Sequence, residues 1–461
     1  MLLKPDPTFY PSARMAMQAP PERLAFVATL NTDAVPDALA VVDVDPGSSS
    51  YGQIVGRVEM PNVGDELHHF GWNACSSALC PYAPHPHLER RYLVVPGLRS
   101  SRIHVIDTKP DPRRPRIVKV IEPEEIASRS GYSRLHTVHC GPDGIYVSAL
   151  GTPEGEGPGG ILILDHYSFQ ALGRWEVERG PQYLAYDFWW HLGYDVLLTS
   201  EWGTPKMVED GLQGEMLQQG QYGHKIHVWD LRRRRHVQAL DLGSEHQMAL
   251  ELRPAHDPVK AYGFVGVVVS TKDLSGSVWI WYRQGKKWQV KKVIEVPAEP
   301  ATEIDLPPIL KQFRAVPPLI TDINLTLDDR WLFVSCWGTG ELRQYDVTDP
   351  FVPKLKASVR LGGIHRRTPH PLHPDKPLNG GPQMVEVSRD GKRVYFTNSL
   401  YRSWDDQFYP EGIKSWMAKA TVGPKGELTL DNGFLLEFEK ERAHQIHLEG
   451  GDSSSDSYCY S

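Results

Sequence analysis

Ala38-Leu39-Ala40-Val41-Val42-Asp43-Val44-Asp45-Pro46 sets how the chain is read: an apolar run that ends on an aspartate and is closed by proline and glycine. A run of this kind bounded by turn residues reads as a β-strand. The same arrangement recurs at Arg102-Ile103-His104-Val105-Ile106-Asp107, at Gly160-Ile161-Leu162-Ile163-Leu164-Asp165, at Lys225-Ile226-His227-Val228-Trp229-Asp230 and at Glu341-Leu342-Arg343-Gln344-Tyr345-Asp346. The five closing aspartates are separated by 64, 58, 65 and 116 residues, and the last interval is nearly double the others. One more unit belongs in that gap, where Ser277-Val278-Trp279-Ile280-Trp281-Tyr282 has strand composition. A seventh strand-rich unit runs from Met384 to about Phe438.

Partner strands follow turns of the Asp-Gly or Asp-Asp type at Asp143-Gly144, Asp328-Asp329 and Asp390-Gly391, residues that accept the positive φ of tight hairpins. Units of this size cannot bury a core alone, so seven in a row predict an all-β chain folded as one closed, seven-bladed β-propeller. Two β-sandwiches in tandem are the competing arrangement. Residues 1–37 are proline-rich and weakly patterned, and read as a leader packed on a propeller domain of residues 38–461. Glu122-Pro123-Glu124-Glu125-Ile126-Ala127 reads as the start of a short helix, with proline in its first turn and acids at the positive end of the helix dipole.

The chain has 461 residues with 40 glycines, 38 prolines, 13 tryptophans and 19 tyrosines, a composition suited to many short strands and turns. A net charge of −7 and a pI near 6.3 give no basic footprint for nucleic acid or an anionic membrane. No apolar run is long enough to span a bilayer, and Met1-Leu2-Leu3-Lys4-Pro5 is not a signal sequence, so the expected location is cytoplasmic, or periplasmic if an export signal was removed. Five cysteines, Cys75, Cys80, Cys140, Cys336 and Cys459, are few and odd in number, which argues against a secreted disulfide framework. Cys336 reads as strand packing, and Cys459, in the polar tail GGDSSSDSYCYS, as exposed. The oligomeric state is not legible.

The chemistry concentrates in Asp65-Glu66-Leu67-His68-His69-Phe70-Gly71-Trp72-Asn73-Ala74-Cys75-Ser76-Ser77, where no hydrophobic period explains two imidazoles, two carboxylates and a thiol. Two further clusters are Leu135-His136-Thr137-Val138-His139-Cys140 and Ala443-His444-Gln445-Ile446-His447. At the inner ends of blades, all three would face the axial channel. Adjacent residues on a regular strand point to opposite faces, as do residues i and i+3, so each pair supplies one ligand unless the backbone bulges. Three or four imidazoles suit copper, zinc or iron and are a poor match for calcium or magnesium. The bland reading is hydrogen-bonded histidines at strand ends. Cys75 is the candidate reactive thiol, activated by a nearby metal or cation, against the commoner role of an inert buried cysteine. Tyr186-Asp187-Phe188-Trp189-Trp190 and Thr199-Ser200-Glu201-Trp202-Gly203 either wall a small apolar substrate or fill space between blades, the commoner role. The basic run Arg232–Arg235 reads as a solvated turn.

DELHHFGWNACSS (65–77), LHTVHC (135–140), YDFWW (186–190), TSEWGTP (199–205), LITDINLTLDDRWLFVS (319–335), GGPQMVEVSRDGKRVYFTNSLY (380–401) and the closing segment from Ala443 to GGDSSSD resemble the selenium-binding protein family. The resemblance implies a propeller and, for the oxidase members of the family, copper-dependent oxidation of methanethiol by oxygen and water to formaldehyde, hydrogen sulfide and hydrogen peroxide. It maps the family's metal histidines onto His68, His69, His139 and His444, with His136 nearby. It suggests a thiolate bound at copper, assisted by Cys75, with Asp65 or Glu66 handling protons. The partners are then a small thiol and O2. Two departures stand out: the cysteine linked to selenium in animal members is replaced by Gly52, and the family's second cysteine after Trp-Asn is displaced to Cys80. Alternatives from other classes are a carrier holding selenium at a cysteine, an interaction scaffold, and a four-histidine iron oxygenase.

Overall fold

A computed structural model describes residues 4–81 and 85–461 and places them in seven four-stranded antiparallel sheets arranged as the blades of a propeller. The innermost strands are Gly71–Trp72, Ser133–Cys140, Phe188–His191, His246–Pro254, Ile320–Leu325, Val385–Val387 and Glu441–Leu448. The tandem-sandwich alternative is set aside. Glu441–Leu448 belongs to the blade built from Leu24–Asn31, Pro36–Asp43 and Ile54–Val63, so the two ends of the chain share one sheet and close the ring. This moves the domain boundary: the propeller begins at Leu24, not Ala38, because the apolar Leu24-Ala25-Phe26-Val27 run supplies a strand paired on both sides.

The repeat has a defined place. Pro36–Asp43, Ile103–Asp107, Gly160–Leu164, Lys225–Asp230, Gly276–Gln284, Glu341–Asp346 and Trp416–Val422 are each the third strand counted from the axis. The aspartates at or just after their ends fold the following turn. Asp43 accepts from the Asp45 N–H and the Ser48 hydroxyl, Asp107 from the Lys109 N–H, Asp165 from Tyr167 and Ser168, Asp230 from Arg233 and Asp346 from Thr348. A short acidic side chain that bonds backbone two or three residues on is the mechanism of such turns. Asp329 and Gly391, with φ of 58° and 70°, lie in the hairpins from first to second strands. The short helix is Pro123–Ser130, with proline in its first turn and Gly131 in the left-handed region at its end.

Apolar residues fill the spaces between blades, with Trp175 and Trp229 in edge contact at 5.8 Å. Burial of each such side chain stabilises the fold by roughly 2–3 kcal/mol. In a four-stranded meander, connections between second and third strands and from one blade to the next share one face. There they carry the insertions that form an apolar cap around Trp202, Tyr222, Trp337, Trp404 and Phe408. The opposite face is crossed by the segment after Leu448. Ser453 bonds Asn324, Ser454 bonds Glu386, and Asp456 pairs with Arg90 at 2.7 Å, linking several blades. The polar tail that carries Cys459 is buried through residue 454 and again at Asp456 and Tyr458, because its serines and aspartates satisfy polar groups at the mouth of the channel. Cys459 is corrected with it: it forms a disulfide with Cys80, leaving Cys75, Cys140 and Cys336 free and buried.

Closing so long a loop constrains the unfolded chain, so Cys459→Ser is expected to lower the unfolding free energy by about 2–4 kcal/mol. Urea titration without reductant checks this, and under reductant the two proteins should share one midpoint.

Candidate metal centre

Residues 64–66 and 68–70 lie outside any strand, with a single bridge at Leu67 to Gly97 and Glu66 in the left-handed region at φ 55°. Ion pairs pin this irregular segment. Asp65 binds Arg102 at 2.6 Å and lies 3.5 Å from His104, while Glu66 accepts from Arg99 at 3.0 Å and from the Arg402 N–H at 2.8 Å. A Cβ on Gly97 would stand 2.7 Å from the Asp65 carbonyl, so only glycine lets the two backbones approach. Freed from strand alternation, His68 and His69 turn to the same side, their rings 5.0 Å apart.

Both meet histidines from other blades. His68 stacks on His444 at 3.6 Å, His69 lies 3.9 Å from His136, and His68 and His136 are 4.9 Å apart. One ring nitrogen from each of His68, His69 and His444 falls within 4.8 Å of the others. All four rings are buried, and Nε2 of each, with Nδ1 of His68, has no hydrogen-bond partner. The far sides of two rings are held: Nδ1 of His444 lies 2.6 Å from the Ser399 carbonyl, and Nδ1 of His136 lies 2.9 Å from the Thr137 hydroxyl. Burial and the neighbouring imidazoles push His68 and His69 well below the usual histidine range, and burial takes His444 down to about 3. These are neutral imidazoles with free lone pairs, oriented from behind, which is the condition of metal-ligating histidine. Unpartnered buried nitrogens facing one another fit a copper, zinc or iron ion.

Each H-x-x-H pair splits. The ladder of Ser133–Cys140 shifts register between Leu135 and Val138, and His136 joins the cluster while His139 packs its ring on Trp189 at 4.0 Å. Of the two expected histidines His136 therefore lies in the imidazole cluster and His139 lies apart from it, because the bulge does not restore one face to both. In the same way His447 turns from His444 to bond Asp452 at 2.9 Å and the Phe70 carbonyl at 3.0 Å.

The residues expected to be catalytic, Cys75, Asp65 and Glu66, are placed as follows. Asp65 and Glu66 serve the arginines that shape the loop. Cys75 lies beyond the short inner strand Gly71–Trp72, near the opposite end of the channel, for two reasons. A Cβ on Gly71 would be 2.3 Å from the Val138 carbonyl, so the two inner strands touch and bring Cys75 beside Cys140. Cys140 is four residues along its strand from His136, roughly 13 Å at strand rise. The Ser77 hydroxyl sits 3.0 Å from the Cys75 sulfur and 3.5 Å from that of Cys140. Burial opposes the Cys75 thiolate, yet hydrogen bonds from Cys140 and Ser77 leave its pKa below the ordinary thiol value, while Cys140 is pushed well above it. Gly52 sits in a turn with φ 76°.

Tyr186 belongs to the aromatic segment singled out as a possible substrate wall, whereas Tyr401, Glu251 and Arg253 were not singled out. Tyr186 lies 4.2 Å from His136 and Tyr401 6.0 Å from His68, ring to ring. Glu251 accepts from the Tyr186 hydroxyl at 3.1 Å and lies 3.7 Å from Nε2 of His69. Below it Arg253 reaches Glu251, Asp322 and Asp187 at 3.1, 3.3 and 3.6 Å. Burial pushes Asp187, Asp322 and Glu386 well above the carboxylate range. A Glu and an Arg within the otherwise apolar Met248-Ala249-Leu250-Glu251-Leu252-Arg253 were the available clue.

Residues 3–459 match the family described as 56kDa selenium binding protein (SBP56). Curated relatives named methanethiol oxidase include one from Xenopus tropicalis, 42% identical with 96% of each chain covered, and one from Homo sapiens, 40% identical with 97% of each covered. The crystal structure of a hypothetical selenium-binding protein from Sulfolobus tokodaii is 61% identical, with a TM-score of 0.96 over 99% of this chain and 100% of that one.

His136→Ala is expected to abolish tight metal binding, and His139→Ala to leave stoichiometry unchanged, as read by elemental analysis of purified protein. In metal-free protein the buried neutral histidines take protons only after unfolding. Their stabilising effect is thus complete above the unfolded value of 6.5 and is lost as pH falls from there towards about 3. His444→Gln should flatten that slope by on the order of 1 kcal/mol per pH unit, measured by urea midpoints from pH 7 to 4.

Proposed function

Because the chain belongs to the 56 kDa selenium-binding protein family, we propose that it is a copper-dependent methanethiol oxidase, converting methanethiol, O2 and water to formaldehyde, hydrogen sulfide and hydrogen peroxide. The observation that carries this reading is the set of four buried, neutral imidazoles whose unpartnered nitrogens face one another. Copper held there would supply one-electron redox capacity, which zinc lacks, and affinity for thiolate sulfur. The names of the frog and human relatives point to the same substrate.

His68, His69, His136 and His444 would hold the ion, and the Ser399 carbonyl and Thr137 hydroxyl fix two of the rings. Tyr186 and Tyr401 wall the site, and the apolar cap keeps water from it. Methanethiol must lose its proton on binding. Glu251, 3.7 Å from Nε2 of His69 and bonded by the Tyr186 hydroxyl and by Arg253, is placed beside the imidazoles to receive it, whereas Asp65 and Glu66 are turned to Arg102 and Arg99. One observation favours a second reading, a stoichiometric selenium carrier: the paired thiols Cys75 and Cys140 about Ser77.

Copper-loaded protein supplied with methanethiol and O2 is expected to release formaldehyde, hydrogen sulfide and peroxide in equal amounts, and His68→Ala to release none. Copper-replete protein that leaves methanethiol untouched rules the oxidase out. Retention of selenium that Cys75→Ser abolishes, without oxygen uptake, would favour the carrier.

A further inference from the structure

An apolar cavity opens in the cap between the helix Gly214–Gln218 and the 3-10 helix Pro308–Phe313. Leu217 and Ile309 stand half-buried at its rim, and Met248, Leu319, Trp404 and Phe408 form its buried floor. Aromatic rings connect that floor to the histidines. Trp404 lies 5.5 Å from Trp202, and Trp202 lies 5.4 Å from Tyr186 and 6.5 Å from Tyr401. Those two tyrosines touch His136 and His68. A single indole thus separates the cavity floor from the residues that wall the metal centre. Two polar atoms along this line, the Trp202 indole N–H and the Tyr401 hydroxyl, are buried without a hydrogen-bond partner. Both are donors to which a passing sulfur can present a lone pair.

Resting on the oxidase reading, we propose that this cavity is a binding chamber for the small thiol in its neutral form, and that Trp202 is the gate through which it passes to the histidines. A thiol with an ordinary pKa is uncharged near neutral pH, and an apolar chamber admits that form while a thiolate would face a large desolvation cost. The chamber therefore selects small uncharged sulfur compounds and rejects charged thiols such as free cysteine. The proton is given up only beyond the gate, where Glu251 stands.

Xenon, an apolar probe that fills dry cavities, is expected to bind the metal-free protein here in pressurised crystals, with density against Met248 and Trp404. Added methanethiol should displace it, followed by xenon NMR, while free cysteine should not. Leu217→Trp and Ile309→Trp, both at the half-buried rim, should abolish xenon binding, keep wild-type copper content and lower kcat/KM for methanethiol by about tenfold with kcat at saturation unchanged. Absence of xenon from the cavity, failure of methanethiol to displace it, or plugged variants with wild-type kcat/KM would each overturn the proposal. If methanethiol displaces xenon but copper-loaded protein does not oxidise it, the oxidase reading falls and the chamber stands.

Discussion

The antiparallel ladder between Leu24–Asn31 and Glu441–Leu448 turns a row of seven sheets into a ring. Every other blade is continuous in sequence, so its strands pair whether or not the ring closes. This blade is assembled from residues about four hundred positions apart, and its pairing fixes the curvature that the others share. It also delivers His444 to within 3.6 Å of His68. The register shift between Val27 and Thr29 lies opposite His444 and Gln445. The same irregularity that bends the strand lets His444 face its partners while His447 turns to Asp452.

The channel below the histidines is filled by charge rather than by apolar packing. Asp187, Glu251, Asp322 and Glu386 come from four successive inner strands or the residues just before them, and Arg253 lies among them. A lone arginine cannot neutralise that many carboxylates, and burial pushes Asp187, Asp322 and Glu386 well above the ordinary carboxylate range. The axis thus has two layers, an imidazole layer under the cap and a carboxyl-rich layer beneath it, and Glu251 touches both.

Much of the architecture was legible because the repeat has a physical cause. The aspartates at Asp43, Asp107, Asp165, Asp230 and Asp346 recur because the same turn must be made after the third strand of each blade, and turn chemistry is local. The histidine site was legible only in part. That His68 and His69 could face one side required a break in the strand, and sequence alone shows that requirement without showing which ion pairs meet it. His136 and His139 could not be separated, because which one faces the axis depends on a bulge whose position is set by pairing with Ile145–Gly151. The position of Cys75 was not legible because closeness in sequence to His68 says little where the two-residue inner strand Gly71–Trp72 carries the chain on to Cys140. The burial of the polar segment after Leu448 was not legible, because composition cannot tell serines that face water from serines that cap buried acids.

The split of the four imidazoles between residues 68–136 and residue 444 also orders events in time. A chain emerging from the ribosome presents three of the four imidazoles early, on blades that have nothing yet to close against. The fourth arrives only when the ring does. The complete imidazole cluster is therefore a property of the finished fold: a nascent or truncated chain lacks the geometry to assemble it.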